Sequence, residues 1–142
     1  MTSAVSRLLP HGAPLVYLDE IKSNSEECVS CLVTPGKEGT VCLFNADGSV
    51  PVVMAIEYMA QTAAAWAGLT AVRVGGGRVR QGLLLAVRSL DCFTESFAEG
   101  KQLEISARRM AGNDDTSIFR CSISEVGGRM VVEGVITVLL TD

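Results

Sequence analysis

The chain contains a single histidine, His11, in 142 residues. One imidazole cannot assemble a metal cluster without other ligands, although it could act as a general base or simply hold a turn. Positive charge is also scarce: 12 Lys and Arg stand against 16 Asp and Glu, for a net charge of -4. Nucleic-acid binding needs a basic face that neutralises phosphates, so no nucleic-acid partner is expected. A nucleophile elbow of the Gly-x-Ser-x-Gly type is missing, which removes support for nucleophilic hydrolysis. Gly75-Gly76-Gly77 follows a helical pattern and lacks the Gly-Lys-Ser/Thr of a phosphate loop, so it reads as a linker. The opening segment MTSAVSRLLPHGAP has no basic start leading into a long apolar core. It reads as no secretory signal, and a cytoplasmic location is the default expectation.

The five cysteines are odd in number and sit mostly among Val, Leu, Ile and Phe, as reduced core residues do. Cys28 and Cys31 have the spacing of a metal or redox pair, yet they fall in a predicted strand, where residues three apart point to opposite faces. Neither a metal nor a cofactor is expected.

What the chain has in quantity is apolar sequence. Hydrophobic residues make up 48% of it and the mean hydropathy is positive, more than a monomer of this size needs to bury, so a homodimer or higher oligomer is expected. The length suits one domain over residues 1–142. Ser3 to Leu9 reads as a short helix stopped by Pro10. Leu15 to Ile21 and Glu27 to Val33 read as strands joined by a polar turn, and Asn45-Ala46-Asp47-Gly48 is loop chemistry. From Pro51, whose fixed φ suits a first helical turn, the pattern is helical to about Ala71 and apolar nearly all round. Four long strands follow: Gly82 to Phe93, Leu103 to Met110, Ser117 to Ser124 and Met130 to Leu140. The layout is α+β, with an antiparallel sheet curled around a central helix.

Glu57 is the only charged residue between Val50 and Val72. A carboxyl in such a setting protonates, finds a partner or does chemistry, because burying it bare costs several kcal/mol or more. Gln61 lies one helical turn on along the same face. The early part of the helix also offers unpaired N–H groups that can polarise a carbonyl oxygen. Glu57, Tyr58 and Gln61 near the middle of the segment argue against a membrane span. Arg73, Arg78 and Arg80 flank the glycines as the densest positive cluster, either a solvated loop or a docking patch for an acidic partner or a phosphate.

Three segments together resemble a known family: Leu9-Pro10-His11 ahead of Leu15-Val16-Tyr17-Leu18-Asp19; Pro51-Val52-Val53-Met54-Ala55-Ile56-Glu57-Tyr58-Met59-Ala60-Gln61; and Glu99-Gly100-Lys101-Gln102-Leu103. The resemblance is to the hot-dog fold dehydratases that act on 3-hydroxyacyl chains carried by acyl carrier protein. Val50-Pro51 and Ile56-Glu57-Tyr58-Met59-Ala60-Gln61-Thr62 bring the chain closer still to the branch associated with aryl polyene pigments. The resemblance implies a hot-dog fold and a phosphopantetheine-linked acyl substrate. It also implies loss of water to give a trans-2-enoyl thioester, in a dimer whose catalytic side chains come from different subunits. Glu57 takes the place of the family's helix carboxyl, with Val52, Val53, Gln61, Asn45 and Asp47 around the substrate. The family's Gly-His-Phe-Pro histidine has Leu43 at the matching spacing, and the glycine after the helix proline is Val52. The base is then His11, or Asp47 or Asn45 assists in another way, or the chain is a weakened, carrier-binding partner subunit. The same fold also hosts acyl thioesterases, which keeps thioester hydrolysis open.

Overall fold

Along Leu103–Gly112 and Thr116–Glu125 every second residue is buried at first and its neighbours are not, the signature of strands with one face on a core. The computed structural model describes residues 16–73, 75, 81–113 and 115–141. Its elements are β1 (Leu18–Asn24), β2 (Cys28–Val33), β3 (Val50–Pro51), α1 (Met54–Arg73), β4 (Gln81–Cys92), β5 (Ser96–Phe97), β6 (Leu103–Gly112), β7 (Thr116–Glu125) and β8 (Met130–Thr141). Six strands form an antiparallel sheet in the order β1-β2-β6-β7-β8-β4, and β3 pairs with β5. The sheet packs one face against α1, as the pattern predicts. The predicted helix from Ser3 to Leu9 and the turn after it lie outside the described residues.

The core is built from the inward set of each strand. Val29, Cys31 and Val33 of β2 are fully buried, as are Ile105 and Ala107 of β6. Against them lie Ala55, Tyr58, Met59, Ala63 and Ala65 of α1. Each large apolar side chain so enclosed stabilises the fold by about 1.5–3 kcal/mol relative to exposure. Cys31 faces the helix and Cys28 is half-buried on the other face, so the two sulfurs are parted as the strand periodicity requires.

Small residues let helix and sheet approach closely. At Gly134 of β8 an added Cβ would stand 2.9 Å from the Ser89 carbonyl oxygen, 3.2 Å from Leu90 Cδ1 and 3.6 Å from Met59 Cε. Gly134→Ala is therefore expected to lower stability by about 1–3 kcal/mol through overpacking. A denaturant midpoint equal to that of the parent protein would show that this contact relaxes freely.

Three boundaries differ from the sequence reading. The helix begins at Met54, and Pro51 belongs to a two-residue strand whose partner, Ser96–Phe97, is too short for its pattern to show. Tertiary pairing with β5 overrides the proline's preference for a first helical turn. The helix also runs on to Arg73, and Gly75 follows it at φ 77° with its N–H on the Val72 carbonyl (3.2 Å). β1 lies further along than predicted, from Leu18 to Asn24, because pairing with β2 recruits the polar residues Lys22, Ser23 and Asn24. No helix among the described residues is long and apolar enough to cross a membrane.

α1 lies chiefly against β2 and β6. The helix reaches β4 at Gly82, where an added Cβ would stand 3.7 Å from Ala64 Cβ, yet Leu83, Leu84, Leu85 and Val87 of β4 are all exposed, although Leu84 and Val87 pair with the buried Val138 and Ile136. β4 is thus a long apolar edge strand, a feature that isolated proteins avoid.

Candidate functional site

Glu57 sits just inside the helix start, half-buried. Its Oε1 accepts a hydrogen bond from Gln61 Nε2 at 3.2 Å, the i, i+4 contact that the sequence suggested. Gln61 is itself buried, and its Oε1 accepts the Tyr17 N–H at 2.9 Å. Because a backbone N–H can only donate, this bond fixes which end of the amide faces Glu57. The carboxyl is thereby tethered through one oxygen to β1's approach segment.

Tyr17 was not singled out as a site residue by the sequence. The signal available was an aromatic inside an otherwise aliphatic run, Leu15-Val16-Tyr17-Leu18. Its hydroxyl donates to the Val41 carbonyl at 2.6 Å, and its ring meets Tyr58 edge-on at 6.0 Å. Burial, and then the proximity of Glu57 and Cys42, push its phenol pKa up. Tyr58, whose ring is tilted at 41° to that of Phe97 with centroids 5.9 Å apart, is also raised, chiefly by burial. Both phenols therefore stay protonated at neutral pH and can serve as donors.

The helix entry is a tight turn. Val52 N–H donates to the Glu95 carbonyl at 3.2 Å, while the Val52 and Val53 carbonyls accept from Ala55 and Ile56 at 2.9 and 3.2 Å. Among the described residues, the N–H groups of Val53 and Met54 have no acceptor. They are the two donors left to hold a carbonyl oxygen at the positive end of the helix dipole. Val52 contributes its half-buried side chain to the wall and not its N–H; Val53 is exposed beside it.

Asn45 and Asp47 form their own turn. Asn45 N–H and Nδ2 donate to Ser49 O and Oγ at 2.8 and 2.9 Å, and Asp47 Oδ1 accepts from Ser49 N–H and Oγ at 2.9 and 2.6 Å. Those bonds from Ser49 hold the Asp47 carboxyl below its usual value. It is a poorer base for it. With Ala46, Ser49, Glu95 and Ser96 the two residues line an open concavity. Leu43 is 60% exposed, with Val41 and Phe44 similarly open, so this apolar segment is presented at the surface.

Arg73 closes the helix. Its guanidinium donates to Asn24 Oδ1 at 3.3 Å and the Ser25 carbonyl at 3.4 Å, joining the helix end to the β1–β2 turn. His11, Arg78 and Arg80 lie outside the described residues.

A family model described as ApeP-like, ApeP dehydratase, matches residues 3–142. No curated protein matches significantly. Among solved structures, the dehydratase heterocomplex ApeI:P from Xenorhabdus doucetiae has a chain that matches at TM-score 0.90 and 29% identity, over 100% of this chain and 93% of that one. A hypothetical thioesterase with coenzyme A from Streptococcus pneumoniae matches at TM-score 0.62 and 16% identity, over 86% of this chain and 84% of that one. The protein smu.793 from Streptococcus mutans, bound to acetyl CoA, matches at TM-score 0.64 and 16% identity, over 94% and 95%. At such identities the last two share the fold and nothing more is carried from them. The antiparallel sheet wrapped on one long helix is the hot-dog fold.

Proposed function

Because the chain belongs to the ApeP-like dehydratase family, we propose that it removes water from a 3-hydroxyacyl thioester carried by acyl carrier protein, giving a trans-2-enoyl thioester. The observation that carries the reading is the Glu57 carboxyl, tethered by Gln61 in the first turn of the helix whose start carries the Val53 and Met54 N–H groups. The thioester oxygen accepts from those N–H groups, which stabilise the negative charge that develops as the α-proton leaves. His11 takes that proton. Glu57 delivers a proton to the departing hydroxyl, and water leaves as the double bond forms. The resemblance to the aryl polyene branch supports an acyl chain carried on phosphopantetheine as substrate.

The functional unit is two hot-dog chains joined along β4. Its exposed leucines and unpaired edge support this assembly. Leu84→Lys should shift the protein toward monomer, weakening association by at least about tenfold through an unpaired charge in an apolar contact. Light scattering checks it, and an unchanged oligomer mass would remove β4 from the interface.

A second reading rests on Leu43, which stands exposed where the family places its histidine, and on the likeness to a chain in a heterocomplex. In it the chain is a carrier-binding partner that assembles with an active homologue. Incubation of the purified protein with a 3-hydroxyacyl carrier separates the readings. Enoyl product supports the dehydratase and free thiol supports a thioesterase. Neither product, with carrier still bound, supports the partner subunit.

Arg73, Arg78 and Arg80 are the proposed docking patch for the acidic carrier. Reversing all three charges should weaken carrier binding about tenfold or more at low salt and less at high salt. Equal affinity at low salt would place docking elsewhere.

A further inference from the structure

Residues 41–44 have no regular secondary structure, and three of their four side chains, Val41, Leu43 and Phe44, are exposed. The neighbouring turns close on themselves. Thr40 N–H bonds the Lys37 carbonyl and Asn45 N–H the Ser49 carbonyl. Between them, among the described residues, one hydrogen bond ties the backbone to the rest of the protein: Tyr17 Oη to the Val41 carbonyl at 2.6 Å. Cys42 packs against the core with its thiol bonded by the Gly36 backbone, and Phe44 lies against Gly36, so loss of the one backbone tie should loosen the segment around that anchor.

Tyr17 is itself held from two sides. Its N–H is fixed on Gln61 Oε1, and its ring packs edge-on against the buried Tyr58. The phenol therefore projects from a rigid base, and its raised pKa keeps the proton needed for donation. The same residue reaches Glu57 through its backbone and residues 41–44 through its side chain.

We propose that Tyr17 is a positioning residue with two separable arms: its backbone N–H orients Gln61 toward Glu57, and its phenol pins the apolar 41–44 segment on the side of Tyr17 that also neighbours that carboxyl. The second arm rests on the dehydratase reading only for its kinetic consequence. Tyr17→Phe keeps the backbone arm and the ring packing while deleting the pin.

Cys42 reports on the pin without any turnover. It is half-buried within the segment, its thiol pushed up by burial. Cys31 and Cys121 are buried and raised to about 12, so they remain silent at neutral pH, and exposed Cys92 supplies an internal control. In Tyr17→Phe, alkylation of Cys42 by N-ethylmaleimide, read by peptide mass spectrometry, should speed up about five- to tenfold, the opening expected from losing one hydrogen bond. Cys92 should react at its parent rate. Hydrogen exchange should rise over residues 41–44 and stay the same over β6 and β7, which distinguishes local release from general loosening. In turnover, KM should rise several-fold while kcat stays within about twofold, because the Gln61–Glu57 arm is intact. A Cys42 rate within about twofold of the parent, with unaltered exchange at residues 41–44, would overturn the pin. A fall in kcat with KM constant would overturn the separation of the two arms. If neither form dehydrates a thioester, the dehydratase reading fails, and the labelling still decides whether Tyr17 holds the segment.

Discussion

Glu57→Gln is expected to slow dehydration about 100- to 10,000-fold, the usual worth of a positioned general acid. The variant keeps the shape of the side chain and an oxygen to accept from Gln61 Nε2, so the fold should hold and KM should move little. What it loses is a proton that can be delivered to the leaving hydroxyl. The measurement is single-turnover formation of enoyl thioester by mass spectrometry, with a thermal melt to show that the helix is intact. Turnover within threefold of the parent would mean that the carboxyl is a structural group, held by Gln61 for stability alone. The contrast with Gln61 is informative, because that residue touches Glu57 and acts through it. Its loss should cost less than loss of the carboxyl.

His11→Ala is the second large effect, with dehydration expected to fall about 100-fold or more if the imidazole removes the α-proton. The case for His11 is partly one of supply. It is the only histidine in the chain, and Leu43, at the family's histidine position, has no titratable group. Asp47 is the other base within the site loop, and Ser49 already satisfies its Oδ1 twice while lowering its basicity. Unaltered turnover in His11→Ala would exclude the imidazole. Adding a homologous chain that carries its own histidine would then test the partner-subunit reading. Restored activity in that mixture, absent for either chain alone, would favour it.

The long elements of the fold were legible because their patterns are long. Alternation from Leu103 to Gly112 and from Thr116 to Glu125 is strong enough to place two central strands within a few residues. The apolar helix from Met54 to Arg73 could hardly be anything else. Short elements were not legible. Val50–Pro51 and Ser96–Phe97 stabilise each other as a two-residue pair, and neither carries a pattern by itself, so Pro51 looked like the start of a helix. In the site, Glu57 and Gln61 could be paired from spacing alone. Tyr17 could not, since its contacts lie 44 and 24 residues away along the chain and no local rule reaches that far. Asn45 and Asp47 could be read as loop residues from sequence, but not the bonds that both make to Ser49.

The edge strand gives the mechanism its remaining requirement. Leu84 and Val87 pair with the buried Val138 and Ile136 and are yet exposed, as the proposed second chain along β4 would require. The central claim is that assembly brings one carboxyl and one imidazole to a single thioester. A crystal structure of the assembled protein measures it directly, through the distance from the Glu57 carboxyl to the nearest His11 imidazole, in the same subunit or across the interface. The account predicts a separation within about 8 Å, enough for both groups to reach one bound substrate by hydrogen bonds. A separation of about 15 Å or more would contradict it, leaving Glu57 without His11 as its partner.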